Sequence, residues 1–203
     1  MFSRAILACV LAVGSLFSYA QDKTESQYAK LVAQVKAGAL LVDFKQMRLA
    51  YIDSPEYRAT KDTDAEADAM IAAINANDFP AAIKHADVVL ASDYVDLDAH
   101  FAEYIAHREL HHDAEAKFHK DVFDGLLRSI TSSGDGKSEQ TAYVVISTHE
   151  EYVLMRVAGF VLGKQSLKHV NHHSYDVIEG TDTQSSQKVT LYFNVDIPMK
   201  HYQ

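Results

Sequence analysis

Cysteine occurs once in these 203 residues, at position 9, and tryptophan not at all. One thiol can form no internal disulfide, and a cysteine-based zinc site needs at least two. Proline, with three occurrences, and glycine, with eight, are also scarce, which removes collagen-like and low-complexity architectures. Basic side chains are the minority: 19 Lys and Arg against 28 Asp and Glu give a formal net charge of −9. Affinity for nucleic-acid phosphate comes from Lys and Arg, so no nucleic-acid partner is expected. What the chain does have is apolar material, 48% of its residues, enough to build a core rather than a disordered tail.

The longest apolar stretch lies at the start. Arg4 supplies a positive charge, residues 5–17 are apolar apart from Gly14 and Ser15, and Ser18-Tyr19-Ala20 ends in small residues. This is the pattern of a secretory signal peptide over 1–20, with cleavage expected after Ala20. The run is shorter than the ~20 apolar residues of a membrane span, so no stable membrane anchor is expected after cleavage. A lipoprotein reading of Ile6-Leu7-Ala8-Cys9 fails because most of the apolar region follows Cys9. The expected location is the periplasm or the exterior, and Cys9 leaves with the leader.

The remaining 21–203 reads as one α+β domain, helical over 21–130 and sheet-forming over 131–203, with no Pro- or Ser-rich linker between the parts. Tyr28, Leu31, Val32 and Val35 stand at helical spacing within 21–37, and Gly38 ends that helix. Asp43 suits the N-cap of a short helix through residue 51, stopped by Ser54-Pro55. An Ala-rich, acidic helix is expected over 62–75. A turn at 75–78 then leads through Pro80 into a helix ending near residue 92.

The next segment repeats this plan. A shift of 34 residues superimposes Asp62 on Asp96, Asp64 on Asp98, Ile71 on Ile105, Ala82 on Ala116, His85 on His119 and Val88 on Val122. Thirty-four residues is the tetratricopeptide period, and Ala82 and Ala116 fall where that repeat wants a small side chain. Two such hairpins need a cap. After the loop at 131–138, the sequence predicts a buried strand over 141–148, a helix over 149–160, and two strands over 166–178 and 188–197. The polar loop at 180–187 is too short for a crossover, so those strands pair antiparallel. The expected architecture is tetratricopeptide-like helical hairpins packed against a small antiparallel sheet with one helix.

Several groups of residues stand out together: Val42-Asp43-Phe44 with Arg48, Ala50 and Tyr51; Ser133-Gly134-Asp135-Gly136; Glu150-Glu151-Tyr152; His173-Ser174-Tyr175-Asp176; and Leu191-Tyr192-Phe193-Asn194-Val195. In this order, and across nearly all of the chain after the leader, they resemble the bacterial family called domain of unknown function 4919. The resemblance implies an exported protein without an established biochemical activity. One departure is His111-His112, where the family pattern favours Gly and Asp.

Familiar catalytic motifs do not survive inspection. Gly134-Asp135-Gly136-Lys137-Ser138 lacks the leading Gly of a P-loop, having Thr131 there, and it follows a helix and precedes a strand. Gly134 and Gly136 are expected to serve a reversal with positive φ while Asp135 binds local amides. His149-Glu150 is followed by Val153, not by the second His of a zincin. No nucleophile elbow is present. His107 and His111 stand one helical turn apart with Asp113 and Glu115 nearby, but a helix end favours exposed histidine, so no metal is expected.

The polar residues of the recurring motifs form the candidate binding group: His100, Asp135, Glu150, Glu151, His173, Asp176 and Asn194. The leading expectation is a non-enzymatic exported binding or scaffolding module that takes a peptide or protein partner in the envelope, without cofactor. The alternative is a cell-envelope hydrolase or transferase in which His100, Asp135, Glu150, Glu151, His173 and Asp176 converge as a carboxylate–histidine cluster.

Overall fold

A computed structural model describes residues 25–59 and 63–201; the leader expected over 1–20 lies outside them. Helices α1 (Gln27–Lys36) and α2 (Phe44–Ile52) are each started by a side chain that accepts a backbone N–H, Ser26 from Ala29 and Asp43 from Gln46. Helix α2 ends before Ser54-Pro55, as expected, and Ser54 begins a new one. It caps the short α3 (Pro55–Ala59) by accepting from Tyr57.

Four antiparallel helices follow: α4 (Asp64–Asn75), α5 (Phe79–Ser92), α6 (Leu97–Glu109) and α7 (Asp113–Thr131). The 34-residue offset is visible in their backbone. Asn77 and His111 both adopt left-handed φ, 56° and 60°. Around each, the same pair of hydrogen bonds closes the helix. Asn77 N donates to Ile74 O and Asp78 N to Ala73 O; His111 N donates to Arg108 O and His112 N to His107 O. This is a Schellman termination used twice. Ala82 is fully buried with Ala73 and Ala106, which lets α4, α5 and α6 approach closely.

Beyond α7 come β1 (Tyr143–Val144), α8 (Thr148–Val157), β2 (Phe160–Val170), β3 (His173–Asp182), β4 (Lys188–Asn194) and α9 (Asp196–His201). The sheet order is β1-β4-β3-β2. The long pairs β2–β3 and β3–β4 are antiparallel, but β1 lies parallel to β4, so the sheet is mixed rather than purely antiparallel.

Three expected elements shift. The strand expected over 141–148 survives only as β1, because Ile146 N is drawn to the Glu150 carboxylate and Ser147 caps α8. The strand expected over 166–178 is two strands, folded back at Asn171-His172 with both φ positive, 50° and 66°, as in a two-residue I′ hairpin. The helix expected to reach 160 stops at Val157, since Gly159 takes φ 78° and turns the chain into β2. Gly134 differs as well. Its φ is not left-handed, and a Cβ there would meet Thr141 O at 2.2 Å, so close approach excludes a side chain; Gly136 does take φ 68°.

One hydrophobic cluster joins the two parts. Met47 of α2, Leu97 of α6, Leu126 and Ile130 of α7, Val153 and Met155 of α8, Ile178 of β3 and Phe193 of β4 all belong to it. Through it runs a polar peg. Arg48 donates from Nε to Glu150 Oε1 at 2.7 Å and from Nη2 to Oε2, and also reaches Ser129 Oγ and the Val144 carbonyl. Glu150 Oε2 in turn accepts from Ile146 N at 2.9 Å. Charge, hydrogen bonds and packing thus tie α2, α7, β1 and α8 together.

Candidate functional site

The seven candidate residues do not surround one pocket. Glu150 is fully engaged with Arg48 in the core. Glu151, next in sequence but on another face of α8, is buried beside Asp176; Gln165 Nε2 donates to Asp176 Oδ2 at 2.7 Å. Burial, then the Asp176 charge, pushes the Glu151 carboxyl up to about 9, so it carries a proton at neutral pH. His173 and Asn194 meet at Asp196, whose Oδ2 is 2.5 Å from His173 Nδ1 and accepts from Asn194 Nδ2 at 3.1 Å. Burial alone would raise Asp196, but hydrogen bonds from His173, Ser174 N and Asn194 hold its carboxyl low. Asp135 is an exposed loop residue that accepts from Lys137 N. Its carboxyl is held low by hydrogen bonding to Thr141 and to the Lys137 amide.

His100 lies apart from all of these, fully buried on α6. Its Nε2 is 3.0 Å from Tyr94 O and its Nδ1 3.1 Å from His119 Nδ1. Burial depresses its basicity to about 3. Nearby, Glu103 is 1% exposed, with both carboxylate oxygens shut off from solvent and neither accepting a hydrogen bond. His107 Nε2 comes within 3.1 Å of Oε2, near enough for an ion pair but not in hydrogen-bonding geometry. Burial and the Asp87 charge raise Glu103 to about 8. His107 and His111, one helical turn apart in sequence, do not come together. His111 sits in the left-handed turn and His107 turns to His112, their Nδ1 atoms 3.1 Å apart.

Two clefts deserve comparison. A 250 Å³ cleft between α2, the α5–α6 turn and the start of α8 is lined by Tyr51, Tyr57, Asp93, Asp96 and His149. Burial, then the Asp96 charge, raises Asp93 to about 8. Burial also raises Asp96, against the opposing pull of His149, whose Nε2 is 3.3 Å from Asp98 and 3.7 Å from Asp96. Sequence reasoning missed Asp93 and Asp96; the signal was the spacing Asp93, Asp96, Asp98 at a helix start, which reads as capping alone.

The larger cleft, about 600 Å³, opens where α7 and α8 meet the sheet. Leu127, Tyr143, Leu154, Val157, Phe160 and Leu191 form its apolar walls, and Asp135 and Lys137 stand at its rim. It also borders an unfinished sheet edge. Tyr192 N donates away from β3 to Gly136 O, and Asn194 O accepts from Val145 N. In an antiparallel ladder outward-pointing residues alternate, so Thr190 directs its N–H and C=O outward too. Among the described residues no backbone partner faces them.

The sequence pattern of the family described as a domain of unknown function (DUF4919) matches residues 18–203, and the chain belongs to that family. No curated protein and no solved structure matches it.

Proposed function

We propose that this chain is an exported, non-enzymatic binding module that takes an extended peptide segment of an envelope protein along the outer edge of β4. The observation that carries this reading is the coincidence of an apolar cleft with outward backbone groups at Thr190. Strand addition draws affinity from main-chain hydrogen bonds and specificity from pockets for alternate side chains. Here Leu154, Val157 and Leu191 supply the pocket, and Asp135 with Lys137 supplies opposite charges at the rim. The volume of about 600 Å³ falls within the ~300–1,000 Å³ usual for ligand sites. The tetratricopeptide-like helices serve in this reading as the scaffold behind the cleft. Export rests on the leader read over 1–20.

Selection of peptides from a random library on the chain from residue 21 onward tests the proposal. Enriched sequences are expected to carry alternating apolar residues and to lose binding when Val157, 48% exposed on the cleft wall, is changed to Asp. Selected peptides indifferent to Val157→Asp would refute the site.

A second reading, a cell-envelope hydrolase or transferase, has Asp93 in its favour: a carboxyl raised to about 8 that lines the same small cleft as His149 has the properties of a general acid. It requires turnover of an ester, amide or glycoside that Asp93→Asn lowers by about 10²-fold or more. Unchanged turnover in that variant would remove this reading.

A further inference from the structure

We infer that Glu103, His107 and His119 form a site for a divalent transition-metal ion, with zinc as the best chemical match. Glu103 and His107 are four residues apart on α6, and His119 faces them from α7. One ligand atom from each lies within 4.8 Å of the other two. Tetrahedral zinc with bonds of ~2.0–2.1 Å needs ligand atoms roughly 3.4 Å apart, a difference that side-chain rotation closes. Two imidazoles and one carboxylate leave a fourth position open, the composition of a reactive rather than a purely structural site.

The surroundings hold the imidazoles as ligands. The Tyr94 carbonyl can only accept, so His100 carries its proton on Nε2 and presents a lone pair at Nδ1. His119 must then donate from Nδ1, 3.1 Å away, which leaves its Nε2 lone pair free. His107 is arranged the same way, its Nδ1 against His112 and its Nε2 toward Glu103. Orienting contacts of this kind, on the far nitrogen of a ligating histidine, fix tautomer and ring plane in metal sites.

The repeat gives an internal control. Shifting back 34 residues replaces Glu103 by Ala69, His107 by Ala73 and His119 by His85. In the first hairpin His85 simply meets Glu66 at 2.6 Å. The hairpin packing therefore asks only for alanine at two of the three positions. A carboxylate 1% exposed with both oxygens unbonded is not something the fold requires. Left unpaired, it is destabilising; a cation satisfies it.

The test uses the untagged chain from residue 21 onward. Zn²⁺ titrated by calorimetry, and Co²⁺ by its visible absorption, should bind one ion per chain, with Co²⁺ giving a tetrahedral spectrum. His107→Ala, which restores the alanine of the first hairpin, and His119→Ala should weaken Zn²⁺ at least about tenfold. His85→Ala and His111→Ala should leave affinity unchanged. Zn²⁺ should raise the melting temperature of the parent and not that of Glu103→Gln. Absence of Zn²⁺ binding by the parent, or binding equally affected by His85→Ala, or a melting shift retained in Glu103→Gln, would overturn the site.

Discussion

At the scale of single residues, the conspicuous charges of this chain divide into those that hold the fold and those still free to act. Arg48 and Glu150 are of the first kind: 2% and 3% exposed, they bond each other and anchor three further groups, Ser129 Oγ, the Val144 carbonyl and Ile146 N. Arg48→Ala strands a buried carboxylate, and the expected loss is about 3–5 kcal/mol, read from urea unfolding followed by far-UV circular dichroism. A loss under about 1 kcal/mol would mean the pair is dispensable. Glu151 gives a pH signature. Its carboxyl is raised from 4.5 to about 9 in the fold, so the folded state holds a proton that the unfolded chain releases. The stability this supplies is complete below about pH 4.5 and drains away as pH rises toward 9. Glu151→Gln has no such term, so its stability relative to the parent should climb between about pH 5 and pH 9. A constant difference would contradict the assignment. The histidines act in the opposite sense: His100 and His119, depressed from 6.5 to about 3 and 4, contribute stability above pH 6.5 that is lost as pH falls through those values.

At the scale of elements, the repeated termination at Asn77 and His111 is open to direct test. Both residues occupy left-handed φ, where a β-branched side chain costs roughly 1–2 kcal/mol and glycine costs least. His111→Val should therefore lower the thermal midpoint, His111→Gly should hold or raise it, and Asn77 should behave alike. Equal midpoints for the Val and Gly variants would count against the shared geometry. This is also where legibility divides. The 34-residue offset was readable because Ala, Ile and Asp recur at fixed distance, and capping by Asp43 follows from side-chain chemistry. The β2–β3 hairpin was not. Asn171-His172 lacks the glycine that usually marks a tight turn, and the flanking residues read on as one strand. Nor was the early end of β1, which depends on a carboxylate four residues ahead capturing Ile146 N.

At the scale of the whole molecule, the motif residues identified in sequence turned out to serve separate places: the core peg, the Glu151–Asp176 pair, the Asp196 cluster, the rim of the large cleft and the α6–α7 histidines. Sequence order carries no information about such convergence, because it is set by how β3 and β4 pair and by which face of α8 meets Arg48. The same topology leaves the middle of β4 uncovered, since β1 pairs only with Phe193 and Asn194. That edge is the centre of the functional account. Thr190→Pro removes the outward N–H while leaving the β3 ladder intact, a substitution that edge positions tolerate. The decisive measurement is calorimetric titration of a library-selected peptide into the parent chain and into Thr190→Pro. Strand addition at β4 predicts binding weaker by about three- to tenfold in the variant, for the loss of one main-chain hydrogen bond, with the melting temperature unchanged. Equal affinity for both chains would contradict it.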